Sequence, residues 1–174
     1  MENKNIIIFK NDAVGDLTQS LNAINNIINY NIENKITIYL SERSKDFYFL
    51  FKFKNVEIKI LNYNLSIIEK IKLIYHLLTN YVDTVYILTP KKFYFYLPII
   101  FKKIKFYAVC INSVDNYKRP SNFLRKYLHK FVINERDKIS KRKSIMEIQK
   151  ELTKDLDFDQ KYNINLMLNF KNDE

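Results

Sequence analysis

Glycine is almost missing. The chain has 1 Gly in 174 residues, with 3 Pro, 1 Cys and no Trp. A single cysteine, Cys110, excludes an internal disulfide and points to a reducing compartment. It falls in an apolar stretch, so it reads as a small buried residue rather than a nucleophile. No C-x-x-C and no His/Cys cluster offers a metal site. Only two histidines occur, His76 and His129. Each lies in a predicted helix and reads as a structural residue rather than a catalytic one. With so little glycine, no GxGxxG and no GxxxxGK[ST] exists, which excludes a dinucleotide fingerprint and a P-loop. A nucleophile elbow is missing as well. No apolar run reaches the ~18 residues of a membrane span. The best, Phe93–Phe101, stops at nine. The first apolar run is too short for a secretory signal and is followed by charges.

What the chain has is hydrophobic content of 47%, with 13 Tyr and 13 Phe. That suffices for one globular domain with a sizeable core. Ile, Asn and Lys are overused, which reads as an AT-rich coding bias, so much of the lysine carries no functional message. The formal net charge is +10. It favours anionic partners such as phosphates, an acidic membrane surface or nucleic acid. Acidic residues are interleaved, however, and no run of five or six like charges occurs. No RRM, KH or helix-turn-helix signature supports nucleic acid, which is not expected as a partner.

Taken in order, strand patterns cover 5–9, 35–40, 56–61, 83–88 and 104–111. Helical spacing covers 16–30, where Leu17, Leu21, Ile24, Ile27 and Ile28 share a face, and 67–81. In the second helix Ile67, Ile71, Ile74 and Leu78 read as the buried face, with Lys70 and Lys72 outward. Ser66 and Glu69 form a capping box at its start. A short helix is expected at 42–51, and another at 91–102, broken near Pro98. Alternation of this kind argues for an α/β fold: a Rossmann-like parallel sheet flanked by helices. Beyond it, 112–120 reads as a loop, Ser121 caps a helix to Ile133, and a charged helix covers 144–156. Tyr39, Lys59 and Lys105 suggest strands with partly exposed faces. The stretch 164–170 fits a short strand or a linker.

The stretch 6–16 organises the rest. A β-branched strand ends in a polar loop that closes on Gly15, and a helix follows at once. The lone glycine is expected to supply a positive φ or a close approach. Asp16 has two readings. It is a preferred helix N-cap, with Gln19 completing a capping-box-like pair. It is also a carboxylate at the mouth of a sheet, placed as a general base. A cap bonded to backbone N–H is the weaker base, because that bonding favours the charged form.

The apolar strand, Lys10, Val14-Gly15-Asp16, the helix over 17–29 and the strands at 35–40 and 57–61 resemble the start of glycosyltransferase family nine. These are the heptosyltransferase-like enzymes of lipopolysaccharide biosynthesis. Asn22 stands where that family usually has a proline. The resemblance implies the N-terminal half of a GT-B glycosyltransferase, with residues 1–156 as a Rossmann-like acceptor-type domain. Residues 157–174 are then a tail, or the start of a linker to a donor-binding C-terminal domain or second chain. It also implies inverting transfer from a nucleotide-sugar to a glycolipid acceptor, with Asp16 as the catalytic base. Substrate contacts would come from Lys10, Asn11, Gly15, Thr18, Arg43 and Lys91. No cofactor and no metal are expected. The implied setting is cytoplasmic, with peripheral contact to the inner membrane. The competing reading is a non-catalytic Rossmann-like module that binds an anionic glycan, a lipid or a partner subunit.

Overall fold

A computed structural model describes residues 4–112, 118–135, 143–154 and 156. Seven strands and five helices form its frame. They are β1 (Asn5–Lys10), α1 (Val14–Tyr30), β2 (Lys35–Ser41), β3 (Val56–Leu61), α2 (Ile67–Thr79) and β4 (Val82–Ile87). Then follow α3 (Leu97–Ile100), β5 (Lys105–Asn112), β6 (Lys118–Arg119), α4 (Asn122–Arg125), β7 (Lys130–Glu135) and α5 (Ile145–Leu152). Six strands run parallel in the order β3-β2-β1-β4-β5-β7. Two-residue β6 adds antiparallel to the end of β5. This is the expected α/β Rossmann-like sheet flanked by helices.

The strand that forms the centre is the most apolar one. Ile6 to Phe9 are all buried, because a central parallel strand is covered on both faces. Ile7 and Phe9 join one core with Leu73 and Leu77 of α2 and Leu97 of α3. Ile6 and Ile8 join the other with Leu17, Ile24, Ile27 and Ile28 of α1 and Ile148 and Leu152 of α5. Sheet order reverses at β1: the chain first winds out through β2 and β3, then returns to β4 on the other side. Such a reversal leaves a crevice at the carboxyl ends of the two strands.

Several elements differ from the pattern reading. Helix α1 begins at Val14, two residues early, with Ala13 as its N-cap and no side-chain capping bond. Residues Lys45–Phe51 form a 3₁₀ helix. A second 3₁₀ turn, Lys92–Tyr96, leads into α3, where Pro98 sits in the first turn rather than breaking a helix. The helix expected up to Ile133 is only α4. Ser121 makes no capping bond, His129 lies in the following turn, and β7 is a sixth parallel strand. Leu124, Leu128 and Val132 are all buried and four apart, which imitates a helix face. Pairing of Val132 and Ile133 with Val109 and Cys110 decides the matter for a strand. Tyr39 is buried, whereas Lys105 is exposed as expected. Cys110 is buried, and burial pushes its thiol up to about 12. The stretch 164–170 and the boundary at 157 lie outside the described residues.

Helix α2 is turned relative to the expectation. Its capping box forms as read, with Glu69 N–H donating to Ser66 Oγ at 3.2 Å. But Leu73 and Leu77 are the buried residues, and Ile67, Ile71 and Leu78 are exposed. Leu73→Ala should therefore cost about 2–4 kcal/mol, and Ile71→Ala less than about 0.5 kcal/mol. Urea titration of both variants checks this, and a large loss for Ile71→Ala would reverse the assignment of the faces.

Candidate functional site

At the end of β1 the side chains turn from apolar to charged while burial continues. Lys10 is 1% exposed, and Asn11 and Asp12 are buried beside it. Lys10 Nζ donates to Asp12 Oδ2 at 2.8 Å, and Thr89 Oγ1, just after β4, donates to the same oxygen at 2.9 Å. Ser41 Oγ, at the end of β2, donates to the Asp12 carbonyl at 2.5 Å. The ends of β1, β2 and β4 are thereby fastened to one aspartate. Asn11 extends the network: its Oδ1 accepts from the Tyr94 hydroxyl at 2.7 Å, and its Nδ2 donates to the Asn62 carbonyl at 3.3 Å. Tyr94 in turn stacks on Phe9, with ring centroids 4.2 Å apart.

Burial raises the Asp12 carboxyl above the usual carboxylate range, against the opposing pull of Lys10 and Thr89. Its Oδ1 is buried and has no hydrogen-bond partner among the described residues. An ion pair in such a place is costly to form and far more costly to break, because one partner alone is a buried uncompensated charge.

Above this network lies a cleft of about 210 Å³, at the reversal point between β1 and β4. Lys10, Asp12 and Thr89 form part of its floor, and Asp16, Tyr63 and Lys91 stand around it. Arg119, Asn134, Ile145 and Gln149 line it from the later elements. Tyr63 is an aromatic platform for cations: the Arg43 guanidinium lies 4.2 Å from its ring centroid and Lys91 Nζ 4.5 Å. Lys91 Nζ also donates to the Tyr63 carbonyl. Burial lowers the Lys91 ammonium, although Asp12 and Glu42 favour its charged form.

Asp16 sits in the first turn of α1, half-buried, and is not its cap. Its carboxylate accepts no hydrogen bond from any described residue, so the conflict between cap and base does not arise. The N-terminal end of the helix favours negative charge there. Gly15 is helical and has no positive φ, and a Cβ built on it meets nothing within 4 Å. The expectation of a strained or close-packed glycine is thus overturned: Gly15 opens onto free space beside Asp16.

Of the residues singled out from sequence, Lys10, Asp16 and Lys91 meet in one cleft, and Arg43 joins them through Tyr63. Asn11 is occupied in the buried network. Thr18 is exposed, and its hydroxyl donates to the Gly15 carbonyl at 2.8 Å. Pattern reading missed Asp12, Tyr63 and Thr89. Only Asp12 left a local sign, an acid two residues past a lysine at a strand end.

No family model matches the chain, and no curated protein matches it. Among solved structures the chain is similar to E. coli heptosyltransferase WaaC with ADP. The TM-score is 0.51 at 14% identity, over 87% of this chain and 46% of that one. At that identity the likeness is one of fold: the chain spans about half the length of that protein and shares its α/β layout.

Two outcomes follow from the site. Lys10→Met strands Asp12 and should cost about 3–5 kcal/mol. The double variant with Asp12→Leu should regain much of that loss in a denaturant double-mutant cycle, and a null coupling would refute the pairing. The second concerns Glu69, which anchors the loop carrying Tyr63. Its slight burial pushes its carboxyl up, but four hydrogen bonds from Asn62 and Ser66 outweigh this and hold it at about 2. A depressed carboxyl stabilises the fold above its ordinary value of 4.5 and loses that effect as pH falls toward about 2. Glu69→Gln should flatten the thermal-melt profile in that window, and an unchanged profile would contradict the hydrogen bonding.

Proposed function

We propose that the chain is the acceptor-side half of an inverting, heptosyltransferase-like glycosyltransferase acting on a lipopolysaccharide-type acceptor. Asp16 accepts the proton of an acceptor hydroxyl. That oxygen attacks the anomeric carbon of a nucleotide-sugar from the opposite face, and the nucleoside diphosphate leaves with the bonding electrons. Lys91 and Arg43 hold anionic groups of the acceptor at the rim. Lys10 acts indirectly, by keeping Asp12 charged and the strand ends in register. The donor-binding groups belong to a second domain or chain.

The observation that supports this reading best is the state of Asp16. It lines the cleft at the strand-order reversal, in the first turn of α1, and its carboxylate accepts no hydrogen bond from any described residue. The fold likeness to a heptosyltransferase supports the same reading at the level of architecture. The competing reading, a non-catalytic module for an anionic glycan, draws on the paired cations over Tyr63.

The test is transfer from ADP-heptose and other nucleotide sugars, by the chain alone and with a donor-binding partner supplied. Asp16→Asn should lower turnover by about two to four orders of magnitude with an unchanged melting temperature. Retained transfer by that variant would dismiss Asp16 as base. Glycan binding without turnover in either setting would favour the binding module.

A further inference from the structure

Two buried oxygens at the cleft lack a donor. Asp12 Oδ1 and Gln149 Oε1 accept no hydrogen bond from any described residue. Among the described residues one other buried side-chain oxygen, Asn25 Oδ1, shares that state, and Asn25 does not line the cleft. Asp12 and Gln149 both line it. They come from distant parts of the chain, just after β1 and within α5, and are only 8% and 1% exposed. A buried acceptor left unpaired is costly, so each oxygen calls for a donor.

The bonds around them fix which atoms are left over. Ser20 Oγ donates its one proton to the Asp16 carbonyl at 2.8 Å, so toward Gln149 it can only accept. Gln149 Nε2 therefore makes that bond, at 2.9 Å, and Oε1 is the corner of the amide turned away from Ser20. The same two bonds tie α5 to the turn of α1 that carries Asp16. On Asp12, Lys10 and Thr89 both donate to Oδ2, which leaves Oδ1.

We propose that Asp12 Oδ1 and Gln149 Oε1 form a hydroxyl-reading subsite that takes two hydroxyls of a sugar, one donating to each oxygen. The missing partner is a donor, which excludes an unprotonated phosphate or carboxylate. An ammonium or a metal ion is disfavoured, because Lys10, Lys91 and Arg119 line the cleft against two carboxylates, Asp12 and Asp16. A hydroxyl suits the place on both counts. It is neutral, it donates to an oxygen, and it can accept in turn from Lys91 or from the amide of buried Asn134 in the same cleft. The subsite deepens the transferase reading and rests on it for the presence of a sugar. An acceptor sugar and the ribose of a nucleotide share this chemistry.

The experiment is titration followed by saturation-transfer NMR, on the full chain and with no second substrate. The probes are methyl glycosides of hexoses and heptoses with their monodeoxy analogues, and separately ADP with 2′-deoxy-ADP. Loss of one hydroxyl at the subsite should weaken binding to the wild type about tenfold. Gln149→Met removes one oxygen at similar volume. It should weaken the parent sugar by a similar factor and erase the preference for that hydroxyl, with an unchanged melting temperature. Gln149→Glu keeps an oxygen in place and should retain the preference. A Gln149 that served packing alone would instead lower the melting temperature and weaken parent and deoxy sugars equally. A preference confined to the glycosides assigns the hydroxyls to an acceptor, and one confined to ADP assigns them to a nucleotide. Equal binding of every deoxy analogue, binding of none of the probes, or an undiminished preference in Gln149→Met would overturn the subsite. Asp16-dependent transfer alongside such a result would leave the transferase reading standing. Hydroxyl discrimination without any transfer would remove that reading and keep the subsite.

Discussion

The site depends on one buried ion pair. Lys10 and Asp12 lie where the central strand ends, and their bond closes what would otherwise be two uncompensated charges in a dry place. With Thr89 and Ser41 bonded to the same aspartate, three strand ends share one anchor. Asn11, between the paired residues, carries the connection on to Tyr94 and to the loop after β3. The cleft floor is therefore a fixed polar layer over an apolar sheet, and the strands below it cannot shift register singly.

That arrangement divides the labour among the charged residues. Lys10, which reads from sequence as a ligand-facing cation, is paired with Asp12 at the cleft floor. Asp16, in the first turn of α1, and Lys91 line the cleft, and Arg43 lies over the Tyr63 ring beside it. Gly15 adds room rather than curvature, since nothing crowds its missing side chain. The cleft thus brings a carboxylate, Asp16, and a cation, Lys91, to one place.

Helix α2 links the cleft to the outer surface of the protein. Its first turn is fixed by Ser66 and Glu69, whose carboxylate also holds Asn62. The same element thus steadies the Tyr63 loop at the cleft and presents an apolar stripe to the outside. A helix carrying apolar residues on both faces has two surfaces to cover, and the sheet covers one.

Much of the architecture was legible from the chain alone, and the reasons are local. The run Ile6 to Phe9, the 3.6-residue spacing after it and the alternation of strand and helix patterns demand a parallel sheet with both faces covered. The capping box at Ser66 is equally local, because its partners are three residues apart. What the chain could not decide alone were choices between nearly equal local patterns. Val132 continues a helical spacing yet pairs with Val109, because an edge of the sheet was available to it. α2 is apolar on two sides, and only the position of the sheet selects Leu73 and Leu77 over Ile67 and Ile71. The partners of Asp12 are likewise distant: Thr89 is 77 residues away and Ser41 is 29. Local sequence determined the strands β1 to β5 and the helices α1 and α2, and it placed a glycine and a carboxylate where the first strand gives way to the first helix. Tertiary packing alone decided which faces are buried, which lysine is paired and which carboxylate lines the cleft, because burial and pairing are properties of neighbours the chain brings from far away.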